Sequence, residues 1–166
     1  IRAALRVEGR LDARVLELGE SFRSSIDAAS IPSAIFISPD LSEIYFGEQA
    51  LSKGLRGESS HLFDASPKAW MNTGALEQLD AVVLPGTGVT RKHLLAGLLA
   101  QAFSASRQVL NKGTNLTQIE IRVAHPVWDS RRENSLRDTL AWITSGSVRL
   151  AGLTDVPVAP RKLAAS

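Results

Sequence analysis

Residues 117–142, TQIEIRVAHPVWDSRRENSLRDTLAW, decide how this chain is read. Ile119, Ile121 and Val123 alternate with Glu120 and Arg122, the period-two pattern of a strand with one buried face. His125-Pro126 closes that strand, because proline fixes φ, removes a donor and drives the preceding residue to an extended conformation. Ser130 and Glu133 then make a capping-box pair, in which each side chain satisfies an orphan amide of the first helical turn. Leu136, Leu140 and Ile143 recur at helical spacing and give the following helix an apolar stripe. A strand that ends in a short turn and passes into a helix is where open α/β sheets place their ligands.

Composition bounds the rest. At 166 residues the chain suffices for a single domain with a core, and its 44% hydrophobic and 22% charged residues are those of an ordinary globular protein. Net charge is only +2, and no Lys/Arg block interleaved with aromatics occurs, so a nucleic-acid surface is not expected. The absence of Cys excludes disulfides, thiolate metal sites and Cys nucleophiles, and fits a reducing cytoplasm. No apolar run reaches the length of a membrane span. His61, His93 and His125 lack metal-ligand spacing, and no Gly-x-Ser-x-Gly elbow or paired carboxylates on a strand are present. His61 and His93 are expected on the surface, and His125 as a backbone-bonded residue at the strand end.

Working outward, Ile1–Val7 and Ala13–Leu18 read as a hairpin around Glu8-Gly9-Arg10-Leu11-Asp12. Ile31–Ser38 reads as a strand with Pro32 at its start. Pro39-Asp40 turns the chain into a short strand at Glu43–Phe46, and a helix begins at Gly47 and stops near Gly54 or Gly57. Residues 72–90 read as a long connection, with Gly86-Thr87-Gly88 a turn rather than a phosphate loop, since the Lys-Ser/Thr that a phosphate loop needs is missing. Thr90 caps a helix with a broad Leu-rich stripe that runs to about Leu110. Ser145-Gly146-Ser147 is expected to break the last helix, with residues 148–158 forming a final strand or a pair of turns.

Three of these stretches carry a family resemblance. His125-Pro126-Val127-Trp128-Asp129-Ser130-Arg131-Arg132, followed by its helix, resembles a strand and helix in the first lobe of the heat-shock chaperone ATPases of the seventy-kilodalton class, although it is shorter between Pro126 and Asp129. Pro32-Ser33-Ala34-Ile35-Phe36-Ile37, a turn, then Ile44-Tyr45-Phe46-Gly47-Glu48-Gln49-Ala50, resembles the family's Pro-Ser strand and its Gly-Asp-Ala strand end. The Leu-rich helix before residue 111 stands where the family has one.

The resemblance implies an α/β fold, a ribonuclease H-like mixed sheet with flanking helices, as in the actin-like ATPases. Residues 1–166 would form one domain, part of the first lobe. It implies ATP with Mg²⁺ as cofactor, protein clients or co-chaperones as partners, and a cytoplasmic location. It assigns Lys68, after Phe63-Asp64-Ala65 and the extra Ser66-Pro67, to the γ-phosphate and attacking water, close to the end of the 118–124 strand. It assigns Pro126 and Arg132 to the relay of nucleotide state, and puts Ala159 where the family has an acidic residue near magnesium. The family's first strand and phosphate loop would precede Ile1, and its second phosphate loop would follow Ser166. The gap beside the Ile1–Val7 strand would then be filled by another segment or a second copy. Read without the resemblance, Lys68 is a solvated surface lysine, Pro126 ends a strand and Arg132 faces solvent. Two further readings are a non-hydrolysing protein-interaction module built on the same lobe and a sugar-kinase relative.

Overall fold

The computed structural model describes residues 1, 4–5, 14–17, 29–71, 76–110, 123 and 133–153. β1 (Ala4–Leu5) and β2 (Arg14–Val15) pair antiparallel, as the hairpin pattern requires. β3 (Ile35–Ile37) pairs antiparallel with β4 (Ile44–Phe46) on one side and with β5 (Leu62–Asp64) on the other. α1 (Gly47–Leu55) follows β4 directly. The expected strand, turn, strand and helix of residues 31–55 are therefore all present, with the first strand three residues long.

The β3–β4 turn owes its shape to one carboxylate. Asp40 accepts from the Ser38 hydroxyl at 2.6 Å and from the Ser42 hydroxyl at 2.9 Å, while Leu41 takes a positive φ of 62°. At the β4–α1 junction Gly47 has a φ of +66°, a conformation that L side chains rarely adopt. A Cβ there would also lie 2.7 Å from Gln101 Oε1. The glycine of the Phe46-Gly47-Glu48 stretch is thus fixed by backbone conformation and by space.

All three β3 residues are buried because the sheet is covered on both faces. Ile35 and Ile37 join Leu94, Leu95, Leu98 and Ile143 in the main core, whereas Phe36 packs with Ala34 and Ala50 on the α1 side. Layers of α1, sheet and α3 (Arg91–Leu110) result. The Leu-rich stripe of α3 is core, as its spacing predicts: Leu94, Leu95, Leu98 and Ala102 are buried.

Residues 76–90 differ from the long connection expected of them. They hold α2 (Leu76–Leu79), β6 (Val82–Leu84) and β7 (Val89–Thr90), the two strands forming an antiparallel hairpin. Thr87 closes it, its backbone N–H at 3.2 Å and its hydroxyl at 2.8 Å from the Leu84 carbonyl oxygen. The strands are too short for alternation to announce them, so turn chemistry at Gly86-Thr87-Gly88 was the only signal.

The last helix, α4 (Glu133–Leu150), corrects a second expectation. It passes through Ser145-Gly146-Ser147 without a break, and residues 148–150 are helix rather than strand. Thr144 and Ser147 donate their hydroxyls to the carbonyls of Leu140 and Ile143 at 2.7 and 2.6 Å, so these polar side chains are satisfied inside the helix although both are buried. The stop comes at Gly152, with a φ of +68°. Its N–H bonds the Arg149 carbonyl and the Leu153 N–H bonds that of Val148, the paired bonds of a Schellman motif. Arg107 at the end of α3 donates to the carbonyls of Ala151 and Gly152 at 3.2 and 3.3 Å, adding a cation where α4 leaves its carbonyls bare.

α3 and α4 are parallel. His93 meets Trp142 edge to face, Ala96 lies against Gly146, and Arg107 reaches Ala151, so both helices advance in the same direction. The 117–124 strand expected from sequence lies outside the described residues, apart from Val123, which is half-buried.

Candidate functional site

β5 ends in a carboxylate that shapes the next seven residues. Asp64 Oδ1 accepts the Ser66 backbone N–H at 2.6 Å, an Asx-type turn. Its other oxygen, Oδ2, accepts the indole N–H of Trp70, also at 2.6 Å. A 3₁₀ helix, Pro67–Met71, starts just after the first anchor and contains the second, begun by the Ala69 N–H bonding the Ser66 carbonyl at 2.9 Å. Pro67 and Trp70 are buried, and Trp70 belongs to the main core with Leu79, Leu84 and Leu94. Arg91, the first residue of α3, holds its guanidinium carbon 5.0 Å from the Trp70 ring centroid.

Lys68 sits in this turn, and it is exposed while the residues around it are pinned. An ammonium on a backbone fixed at both ends can meet an anion without first ordering the chain that carries it. No group of three or more His, Asp or Glu able to hold a metal ion occurs among the described residues.

Pro126, Arg132, His125 and Ala159 lie outside the described residues, so Lys68 is the one sequence-assigned site residue whose surroundings are visible. His61 and His93 are exposed, as expected. His61 Nε2 lies 2.9 Å from the Val83 carbonyl oxygen, tying β5 to β6. His93 Nδ1 lies 3.1 Å from the Thr90 N–H and 2.9 Å from its hydroxyl, closing the start of α3. Both are structural in these contacts. Asp64, Trp70 and Arg91 were not singled out from sequence. The Asp-x-Ser spacing could have indicated the Asx turn, but the Asp64–Trp70 bond and the Arg91 stack join residues that periodicity does not relate.

A second polar surface lies across the sheet. Tyr45, Glu48, Gln49, Ser52, Lys53, Arg56 and Glu58 line an open depression of about 400 Å³ on the outer side of α1 and β4. Lys53 bonds Glu58 at 2.9 Å and sits 4.6 Å over the Tyr45 ring. The Glu58 hydrogen bond raises the Lys53 pKa above its ordinary value, and the Tyr45 hydroxyl is likewise raised by its bond to Glu43. Lys53 is thus paired within the surface, whereas Glu48 Oε2 is buried without a hydrogen-bond partner among the described residues.

No protein-family model matches the chain, and neither a curated protein nor a solved structure matches it at a significant level. Among the described residues no helix is long and apolar enough to cross a membrane.

Proposed function

We propose that the chain is part of the first lobe of an ATP-binding domain of the heat-shock chaperone class, with a ribonuclease H-like sheet. In the whole protein, binding and hydrolysis of Mg²⁺–ATP would be coupled to the folding of client proteins. Co-chaperones and clients are the partners this reading implies, and the reducing cytoplasm, which a chain without cysteine fits, is its compartment.

The carrying observation is the order of elements in residues 31–71. Pro32-Ser33 leading into β3, a turn, β4 running into Gly47, α1, and β5 passing into the Lys68-bearing turn follow one another in the order that the resemblance gives these stretches. The parallel packing of α3 and α4 adds support. A connection between parallel neighbours has to return along the first helix, about 30 Å for twenty residues at 1.5 Å each. An extended segment of the kind expected at 117–124 meets that need economically, at about 3.3 Å per residue. Lys68 would then serve near the γ-phosphate, and Pro126 and Arg132 would pass nucleotide state onward.

Nuclear magnetic resonance titration of the chain with Mg²⁺–ATP tests the reading. Weak, saturable shifts are expected at Lys68–Trp70 and at His125–Arg132 in the same titration. If millimolar nucleotide perturbs neither segment, or perturbs only the Tyr45–Lys53 face, the ATP-lobe reading is wrong. The latter pattern would favour an interaction module.

A further inference from the structure

We propose that Asp64 is the positioning residue for Lys68, holding its turn so that the ammonium meets a nucleotide phosphate; this rests on the ATP-lobe reading given above. Three observations carry it. Asp64 uses both carboxylate oxygens on the turn, one on the Ser66 N–H and one on the Trp70 indole, each at 2.6 Å. The segment it clamps contains a single exposed cation, Lys68, flanked by buried Pro67 on one side and by half-buried Ala69 and buried Trp70 on the other. The clamp is also fastened from a second element, since the Arg91 guanidinium lies over the Trp70 ring and Trp70 itself packs into the main core.

A lysine that serves only solubility gains nothing from such a mounting. Here the direction of the Cα–Cβ bond at Lys68 is set by a charge-assisted bond on each side, the stronger class of hydrogen bond. Loss of either bond would leave the lysine exposed but no longer aimed. Asp64 touches neither nucleotide nor water in this role. It acts through the turn.

The test uses the full chain and two lysine-acylating probes, an acyl phosphate of ATP and an uncharged acetyl ester, read at each lysine by mass spectrometry. In the wild type Lys68 is expected to favour the nucleotide probe over the uncharged one more strongly than Lys53 and Lys92, both held in ion pairs. In Asp64→Asn that preference should fall about ten-fold, with uncharged labelling of Lys68 unchanged. Trp70→Phe, which removes the indole donor together with part of a buried ring, should produce a similar fall, and the double variant no more than either alone. A folded Asp64→Asn or Trp70→Phe protein that keeps the wild-type preference overturns the proposal. Should wild-type Lys68 show no preference at all, the ATP-lobe reading fails and Asp64 loses its role towards nucleotide. Amide exchange at Ala69 then still separates the two ideas: faster exchange in Asp64→Asn means the clamp holds the turn, and unchanged exchange means that it does not.

Discussion

Phe46 lies against the backbone of Gly97 on α3, so closely that a Cβ at Gly97 would stand 2.6 Å from the ring Cζ. The ring is half-buried between β4 and the helix and packs against the main core. Alanine at position 97 would gain about 1 kcal/mol of helix propensity but would force an overpacked contact that costs about 1–3 kcal/mol. A net loss of about 1 kcal/mol is expected for Gly97→Ala by urea denaturation, and a variant more stable than wild type would show that Phe46 moves aside freely. Asp40 gives a prediction of the opposite kind, on charge rather than space. Hydrogen bonds from Ser38 and Ser42 hold its carboxyl at about 2, against an ordinary 3.8. A folded-state pKa below the unfolded value means the stabilisation is complete above the unfolded pKa and is lost as pH falls through the folded one. The difference in melting temperature between wild type and Asp40→Asn should therefore be full near pH 6 and shrink from about pH 4 to about pH 2. A difference that does not change over that range would mean that the charge contributes nothing.

At the scale of the element, α4 shows how a helix survives residues that read as a break. Ser145-Gly146-Ser147 carries three poor helix formers in a row, and propensity alone ends the helix there. Tertiary packing overrides it, because small residues let α4 approach α3, with Ala96 Cβ 3.6 Å from where a Gly146 Cβ would lie. That distance is ordinary contact, so Gly146→Ala is expected to stabilise by about 0.5–1 kcal/mol through helix propensity. Gly146→Leu should destabilise instead, by prising the helices apart. Thermal melts of the two variants check both signs, and a destabilised alanine variant would place the helices closer than described. The stripe of Leu136, Leu140 and Ile143 was legible from its spacing alone, since all three are buried. What stopped the helix was not. The Gly152 motif depends on a backbone conformation, and Arg107 comes to it from another element.

At the scale of the whole molecule, the segments legible in the sequence are those with local signals. Residues 31–55 declare themselves through Pro32, the Pro39-Asp40 turn and Gly47, and α3 through its leucines. The β6–β7 hairpin escaped because two- and three-residue strands leave no period to read. The candidate site divides in the same way: Lys68 came from the resemblance, whereas the Asp64–Trp70–Arg91 assembly exists only once β5, the 3₁₀ turn and α3 are brought together. Phosphoryl transfer needs positioned phosphate-binding amides and a held metal ion, and the sequence holds neither of the loops the resemblance would supply. This chain alone is expected not to hydrolyse ATP. Steady-state phosphate release above a protein-free control, abolished by Lys68→Ala, would contradict this.

The shared direction of α3 and α4 has a kinetic consequence. Two antiparallel helices can zip up from the turn that joins them, but parallel neighbours meet only after the intervening chain has doubled back. Closing that loop costs entropy before any α3–α4 contact repays it. The β3–β4–α1 unit, built from near neighbours in sequence, has no such delay. Loop-closure entropy therefore predicts that α4 docks late on the folding route, with φ-values near zero expected at Leu140 and Ile143.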